Sequence, residues 1–244
     1  MNKIKNIILF TFNKKLSFFL ITGFVIATIV GTVSHELGHY IIAKSFGYES
    51  TIQYDRINPK KPSIEGFIDS VFSKHGEQIE SNQSFPGKEH FLAVAENCEY
   101  ENRWITLGGP LQTMLTGTIG LALIFFYCKS FALTRRLNAK QWILIFISLF
   151  WLRQTANFAV SLINHFIAGK VRHYGDEISI AHYFGLPSLS LVGITGIIGA
   201  IVLSIVVFKF IPIKDRFTFL VSGLVGGILG SVLWFIILGP LLMP

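Results

Sequence analysis

Five consecutive residues, His35-Glu36-Leu37-Gly38-His39, carry the most reactive chemistry in the chain. On an α-helix, positions i and i+4 face the same way. His35 and His39 therefore offer two imidazole nitrogens to one divalent metal, and Glu36 lies one residue along, beside a water on that metal. This is the HExxH arrangement: zinc acidifies the water and the glutamate takes its proton. The expected cofactor is Zn2+, with His35 and His39 as ligands and Glu36 as general base.

A catalytic zinc takes three protein ligands and keeps one position open. Asp176, in His173-Tyr174-Gly175-Asp176-Glu177, is the candidate third ligand. Its alternative role is an N-cap for a short helix ended by Gly185 and Pro187. Glu177, His173, His165 and His182 are rival ligands. A second cluster, Arg153, Gln154, Asn157, Ser161, Asn164 and His165, recurs at three- and four-residue spacing and gives one polar stripe on a helix. Two readings stand for it: polar packing inside the protein, or substrate and oxyanion binding by Asn157 and Arg153.

These groups must be positioned by apolar elements. Of 244 residues, 51% are hydrophobic and only 14% charged, well below the charged share of a soluble domain. Five runs, about 16–44, 105–127, 142–168, 189–208 and 217–241, reach the roughly 20 residues needed to cross a bilayer. The expected fold is an all-α polytopic membrane protein with about five transmembrane helices and a small polar insertion after the first. It divides into a basic interfacial N-terminus 1–15, a first span 16–46 with HExxH, and a polar membrane-surface insertion 47–103. Segment 104–187 holds the second and third spans with the Asp176 loop, and 188–244 holds two glycine-rich spans. In the insertion, alternation at Ile52, Tyr54 and Arg56 before the turn-like Asn58-Pro59-Lys60-Lys61-Pro62 suggests a short β-hairpin, and 88–102 an amphipathic helix. Gly193, Gly196 and Gly199, with the GxxxG pairs Gly223/Gly227 and Gly226/Gly230, point to close helix packing.

Glu36 is the sole acid between Leu16 and Ile42, and an acid in a spanning helix costs about 3 kcal/mol unless something compensates it. A metal site does. If Lys15 marks one interface, His35 lies about 30 Å further along the axis, near the opposite leaflet. The N-terminus and the connectors 129–140 and 209–216 hold eleven basic residues against Asp215 alone, which predicts that this side, with the N-terminus, is cytoplasmic. The net charge of +7 comes mostly from such helix-flanking residues, and no basic stripe interleaved with aromatics is present, which argues against nucleic acid as a partner. Cys98 and Cys128 suggest neither a disulfide framework nor a CxxC metal site.

HELGH in a spanning helix, Leu107-Gly108-Gly109-Pro110-Leu111 opening the next span, and a late Asp after a polar span together resemble the site-2 protease family of intramembrane zinc metalloproteases. The resemblance covers about 31–187. It implies a membrane-embedded zinc endopeptidase (a hydrolase) whose third ligand is Asp176 and whose partners are the lipid bilayer and a membrane-protein substrate. Asn157 resembles the asparagine that such proteases carry near the site. Asp176 departs from the family's Asn-Pro-x-x-Asp-Gly context: no Asn-Pro precedes it and Glu177 replaces the glycine. The family's site generally opens to the cytoplasm, whereas the charge distribution here places it on the other face. A catalytically inactive homologue serving as a membrane scaffold or binding protein is the alternative. A di-iron desaturase would need further histidine boxes, and a cation transporter carboxylates in several spans.

Overall fold

The computed structural model describes residues 8–127, 136–169 and 175–244. The extreme N-terminus, Cys128, Lys129, Arg135 and the rival ligand His173 lie outside the described residues.

Among the described residues, five helices are long and apolar enough to cross a membrane: Lys14–Ser45, Lys88–Phe126, Ala139–Ile167, Ser190–Phe210 and Ile213–Leu242. The chain is a multi-pass helical membrane protein. Large apolar side chains such as Phe18, Ile26, Leu115, Ile198, Leu224 and Ile236 face outward, where lipid rather than water satisfies them.

The first span begins where the Asn13 side chain accepts from the Leu16 amide at 3.1 Å. It ends at Phe46, and Gly47 follows at φ +80°. The second span is one helix of 39 residues. The amphipathic segment 88–102 runs straight into the membrane rather than stopping at the surface. The third span starts with a capping box between Asn138 and Gln141 and is interrupted by a 3-10 turn at Leu149–Trp151. At that turn Gly117 and Gly120 of the second span receive Trp151 and the Ile147–Ser148 backbone. The fourth and fifth spans run into π turns at Val206–Phe210 and Leu233–Leu238.

The glycines of these two spans mostly serve close packing. Gly196 and Gly199 admit Phe158 and Thr155 of the third span, while Gly226 and Gly230 admit Phe24 and Thr28 of the first. Gly227 meets nothing within 4 Å, so one GxxxG pair is used on one side only.

The polar insertion holds a hairpin, β1 (Glu49–Ile52) and β2 (Ile57–Lys60), paired antiparallel from Glu49↔Lys60 to Ile52↔Ile57. The turn falls at Gln53–Arg56, closed by Gln53 N–H to Arg56 C=O at 2.8 Å, and not at Asn58-Pro59-Lys60. Both strands of a two-stranded sheet are edges, so Pro59 costs no ladder bond there. A surface helix, Pro62–Glu80, follows with proline in its first turn and no buried residue. It rests on the start of the second span through Phe72–Phe91 and Phe67–His90 ring contacts at 5.8 and 5.0 Å.

The packed core lies at one end of the bundle. Leu20 and Phe24 meet Ile124, Trp142, Ile145, Val206, Phe210 and Phe219, so all five spans contribute. At the other end lies a polar cavity of about 430 Å3, partly walled by the hairpin.

Candidate metal centre

His35 and His39 lie on the face of the first span that meets the second. The two helices touch backbone to backbone here: a methyl on Gly38 would collide with the Gly108 carbonyl, and one on Gly108 with Gly38. Gly109 follows, and Pro110 lies inside the helix without an N–H to give. This close crossing lets the second span hold both imidazoles from behind. His39 Nδ1 lies 2.7 Å from the Ile105 carbonyl and His35 Nδ1 lies 2.8 Å from Thr113 Oγ1. Thr113 already donates its hydroxyl proton to the Gly109 carbonyl at 2.9 Å.

These partners decide the tautomers. A carbonyl can only accept, so His39 carries its proton on Nδ1; the longer 3.3 Å approach of the Gly109 amide to the same nitrogen is the weaker contact. With its proton committed to Gly109, Thr113 accepts from His35 Nδ1. Both Nε2 atoms are then bare lone pairs. They face one another at 3.2 Å, and Asp176 Oδ2 lies 2.9 Å from His35 Nε2 and 3.6 Å from His39 Nε2. Three electron-rich atoms converge on one point, an arrangement that a cation stabilises. His35, His39 and Asp176 are the group of potential metal ligands among the described residues.

Asp176 opens the short helix Asp176–Tyr183, whose N-cap is Gly175 at φ 129°. The capping role is therefore not the one it fills; its carboxyl turns to the imidazoles.

Glu36 is 4% exposed and lines the cavity beside His39. Arg153, Asn157 and Ser161 of the third span line it from across the bundle, and Asp176 and Glu177 from the short helix. The stripe is thus split: Arg153, Asn157 and Ser161 face the cavity, whereas His165 is exposed and rests against Phe166. His182 is exposed too, against Ser188 Oγ at 2.7 Å. Neither histidine reaches the centre. Gln154 is fully buried with both amide atoms unpartnered among the described residues, and the structure offers no physical account of it.

Glu177, a rival ligand on sequence grounds, is not among the converging atoms. It is 4% exposed, and burial pushes its carboxyl above the usual range. Asn157 Nδ2 approaches its Oε2 at 3.5 Å, while Oε1 is buried without a partner.

The hairpin supplies Asp55, Arg56, Ile57 and Pro59 to the cavity wall, with Asp55 and Arg56 paired to each other at 2.8 Å. Sequence reasoning missed how the hairpin is held. Tyr54 N–H donates to the Met243 carbonyl at 3.0 Å, and Trp234 Nε1–H donates to the Tyr54 carbonyl at 2.8 Å. Gly239 packs against the Tyr54 side chain. A tryptophan near the end of the last span is the one sequence signal for this latch.

No protein-family model, curated protein or solved structure matches this chain.

Proposed function

We propose that the chain is a zinc-dependent intramembrane endopeptidase that cleaves a membrane-protein segment. The observation that carries this reading is the convergence of His35 Nε2, His39 Nε2 and Asp176 Oδ2 beside a cavity that Glu36 lines. The donor set fits zinc. A tetrahedral ion with bonds of about 2.0–2.2 Å sets neighbouring ligand atoms about 3.3 Å apart, and the three edges here are 3.2, 2.9 and 3.6 Å. Gly109 fits as well, because a side chain there would fill the space between the two imidazoles.

Zinc, when bound, supplies a Lewis acid that brings water's pKa toward neutrality and polarises a carbonyl oxygen. The residues of the chain do the rest. Ile105 and Thr113 fix the imidazole tautomers so that Nε2 stays available. Glu36 accepts the proton of the attacking water and returns it to the departing amine. Asn157 and Arg153 face the same cavity as donors for substrate or a developing oxyanion. The substrate segment must be unwound locally, since a helix has its carbonyls engaged.

The test is zinc content and cleavage measured together on the full chain in a bilayer. Wild type should hold one zinc per chain, His35→Ala and Asp176→Ala should lose it, and Glu36→Gln should keep it while cleavage falls about 100-fold or more. A zinc-free wild type, or cleavage indifferent to Glu36→Gln, overturns the reading. A phenotype unaffected by Glu36→Gln points instead to a silent homologue acting as a scaffold or binding protein.

A further inference from the structure

Two charged side chains at the cavity have no explanation in the metal centre. Arg153 lines the cavity, yet it makes no hydrogen bond or ion pair among the described residues, and its Nε is buried without a partner. Glu177 lines it from the short helix, nearly fully buried, with Oε1 unpartnered. Glu177 is costly to keep at such a place, because a buried carboxylate with one oxygen unpartnered loses hydration for little in return; Arg153 is half-buried and acts on it only through space. The two do not close on each other within 4 Å among the described ion pairs.

Their chemistry is complementary and restrictive. A guanidinium only donates, and a carboxylate only accepts. An anionic ligand beside Arg153 would face Glu36, Asp55, Asp176 and Glu177; a cationic one beside Glu177 would face Arg153 and Arg56. A neutral group presenting one acceptor and one donor satisfies both residues, and the peptide backbone is such a group. Asn157 engages Oε2 of Glu177 and so leaves Oε1 as the free acceptor.

We propose that Arg153 and Glu177 form a backbone clamp: Arg153 donates to a carbonyl of an extended peptide, and Glu177 Oε1 accepts an amide N–H of the same strand. The clamp takes its substrate class, an unwound polypeptide, from the endopeptidase reading. It makes recognition at this point depend on backbone rather than side chain, so its demand on a substrate is an unpaired N–H and C=O. Asn157 is a positioning residue that orients Glu177.

The test separates the clamp from the metal chemistry. The full chain in nanodiscs is treated with a chelator so that nothing is cleaved. Binding of a fluorescent, end-capped heptapeptide of alanine and valine is then followed by anisotropy. A companion series replaces one amide at a time by an ester, which removes a single N–H. Glu177→Leu and Arg153→Gln should each weaken binding about tenfold or more, while Glu177→Gln, which keeps an acceptor oxygen, should retain most of it. One ester position should weaken binding to wild type about tenfold and have no further effect on Glu177→Leu. Because Arg153 Nε and Glu177 Oε1 have no partner and the one contact to Glu177 is the long approach of Asn157 at 3.5 Å, melting temperatures should not fall in these variants, which keeps misfolding from mimicking the result. Wild type that fails to bind the peptide, variants that bind as tightly as wild type, or an ester penalty of equal size in wild type and Glu177→Leu would each overturn the clamp. A chain that holds no zinc yet shows the ester penalty would sink the peptidase reading and leave the clamp standing.

Discussion

Gly109→Ala is the sharpest perturbation of the proposed metal centre, because it adds one methyl and removes no proposed ligand. That methyl would collide with His39 Nε2 and lie 2.6 Å from His35 Nε2 and 2.7 Å from His35 Cε1. Atoms at this distance must separate by about 1 Å to reach normal contact, and zinc bonds of about 2.0–2.1 Å tolerate only about ±0.2 Å. At least one imidazole therefore leaves the ion. Zinc sites with four ligands bind by about 10–16 kcal/mol, so each lost ligand forfeits about 3 kcal/mol, or about a hundredfold in affinity. Displacement of both imidazoles takes this to about ten-thousandfold. The fold should survive, since alanine favours the helix over glycine by about 1 kcal/mol. Zinc affinity would be measured by competition with a chelator of known strength on the full chain in nanodiscs. Gly31→Ala serves as the control: it sits in the first span with nothing within 4 Å and should bind zinc as wild type does. Wild-type zinc affinity in Gly109→Ala would refute the placement of the ion between the two Nε2 atoms.

Three further outcomes follow from particular contacts. Trp234→Phe removes the bond to the Tyr54 carbonyl, worth about 1 kcal/mol, and should raise protease cutting at the Gln53–Arg56 turn several-fold with little change in global melting; an unchanged cutting rate would show that the latch does not hold the hairpin. Glu177 has its folded pKa raised by burial above 4.5, so its contribution favours folding below that value and is lost as pH rises through the folded pKa. Glu177→Gln should accordingly melt higher than wild type at pH 7, by about 1–3 kcal/mol for a group left unsatisfied, with the gap closing below about pH 4; a constant gap across pH would contradict this. A cysteine introduced at exposed Lys60, in a chain with Cys98 and Cys128 replaced, should react with an impermeant thiol reagent added outside intact cells; labelling only after lysis would reverse the orientation expected from the basic connectors.

The spans were legible because the run length of apolar residues is a direct bilayer requirement, which no tertiary contact alters. His35 and His39 were legible because helical spacing alone puts them together. Asp176 was legible only as one of two roles, since a carboxylate at the start of a short helix suits a cap and a ligand equally; the N-cap falling at Gly175 and the nearness of the imidazoles separate the two. The hairpin turn was misplaced because Asn58-Pro59 reads as a turn in isolation, whereas an edge strand accepts proline without loss. The helix Pro62–Glu80 was missed because its proline looked like the end of a turn rather than a first helical residue. Nothing local announces that 88–102 continues into the second span or that Trp234 reaches Tyr54, as both depend on parts of the chain far apart in sequence.

The convergence of all five spans at one end, with the cavity at the other, bears on how a polypeptide reaches the centre. Among the described residues, the packed core fills the end of the bundle away from the cavity. On the proposed peptidase reading, a substrate segment would be met from one leaflet, and only the part lying in that leaflet would have to give up its helical bonds. That is about half of the roughly 20 residues that span the hydrocarbon, or about 15 Å of helix. The rest of the substrate could stay helical in lipid, which would confine the cost of unwinding to the stretch beside the proposed metal ligands.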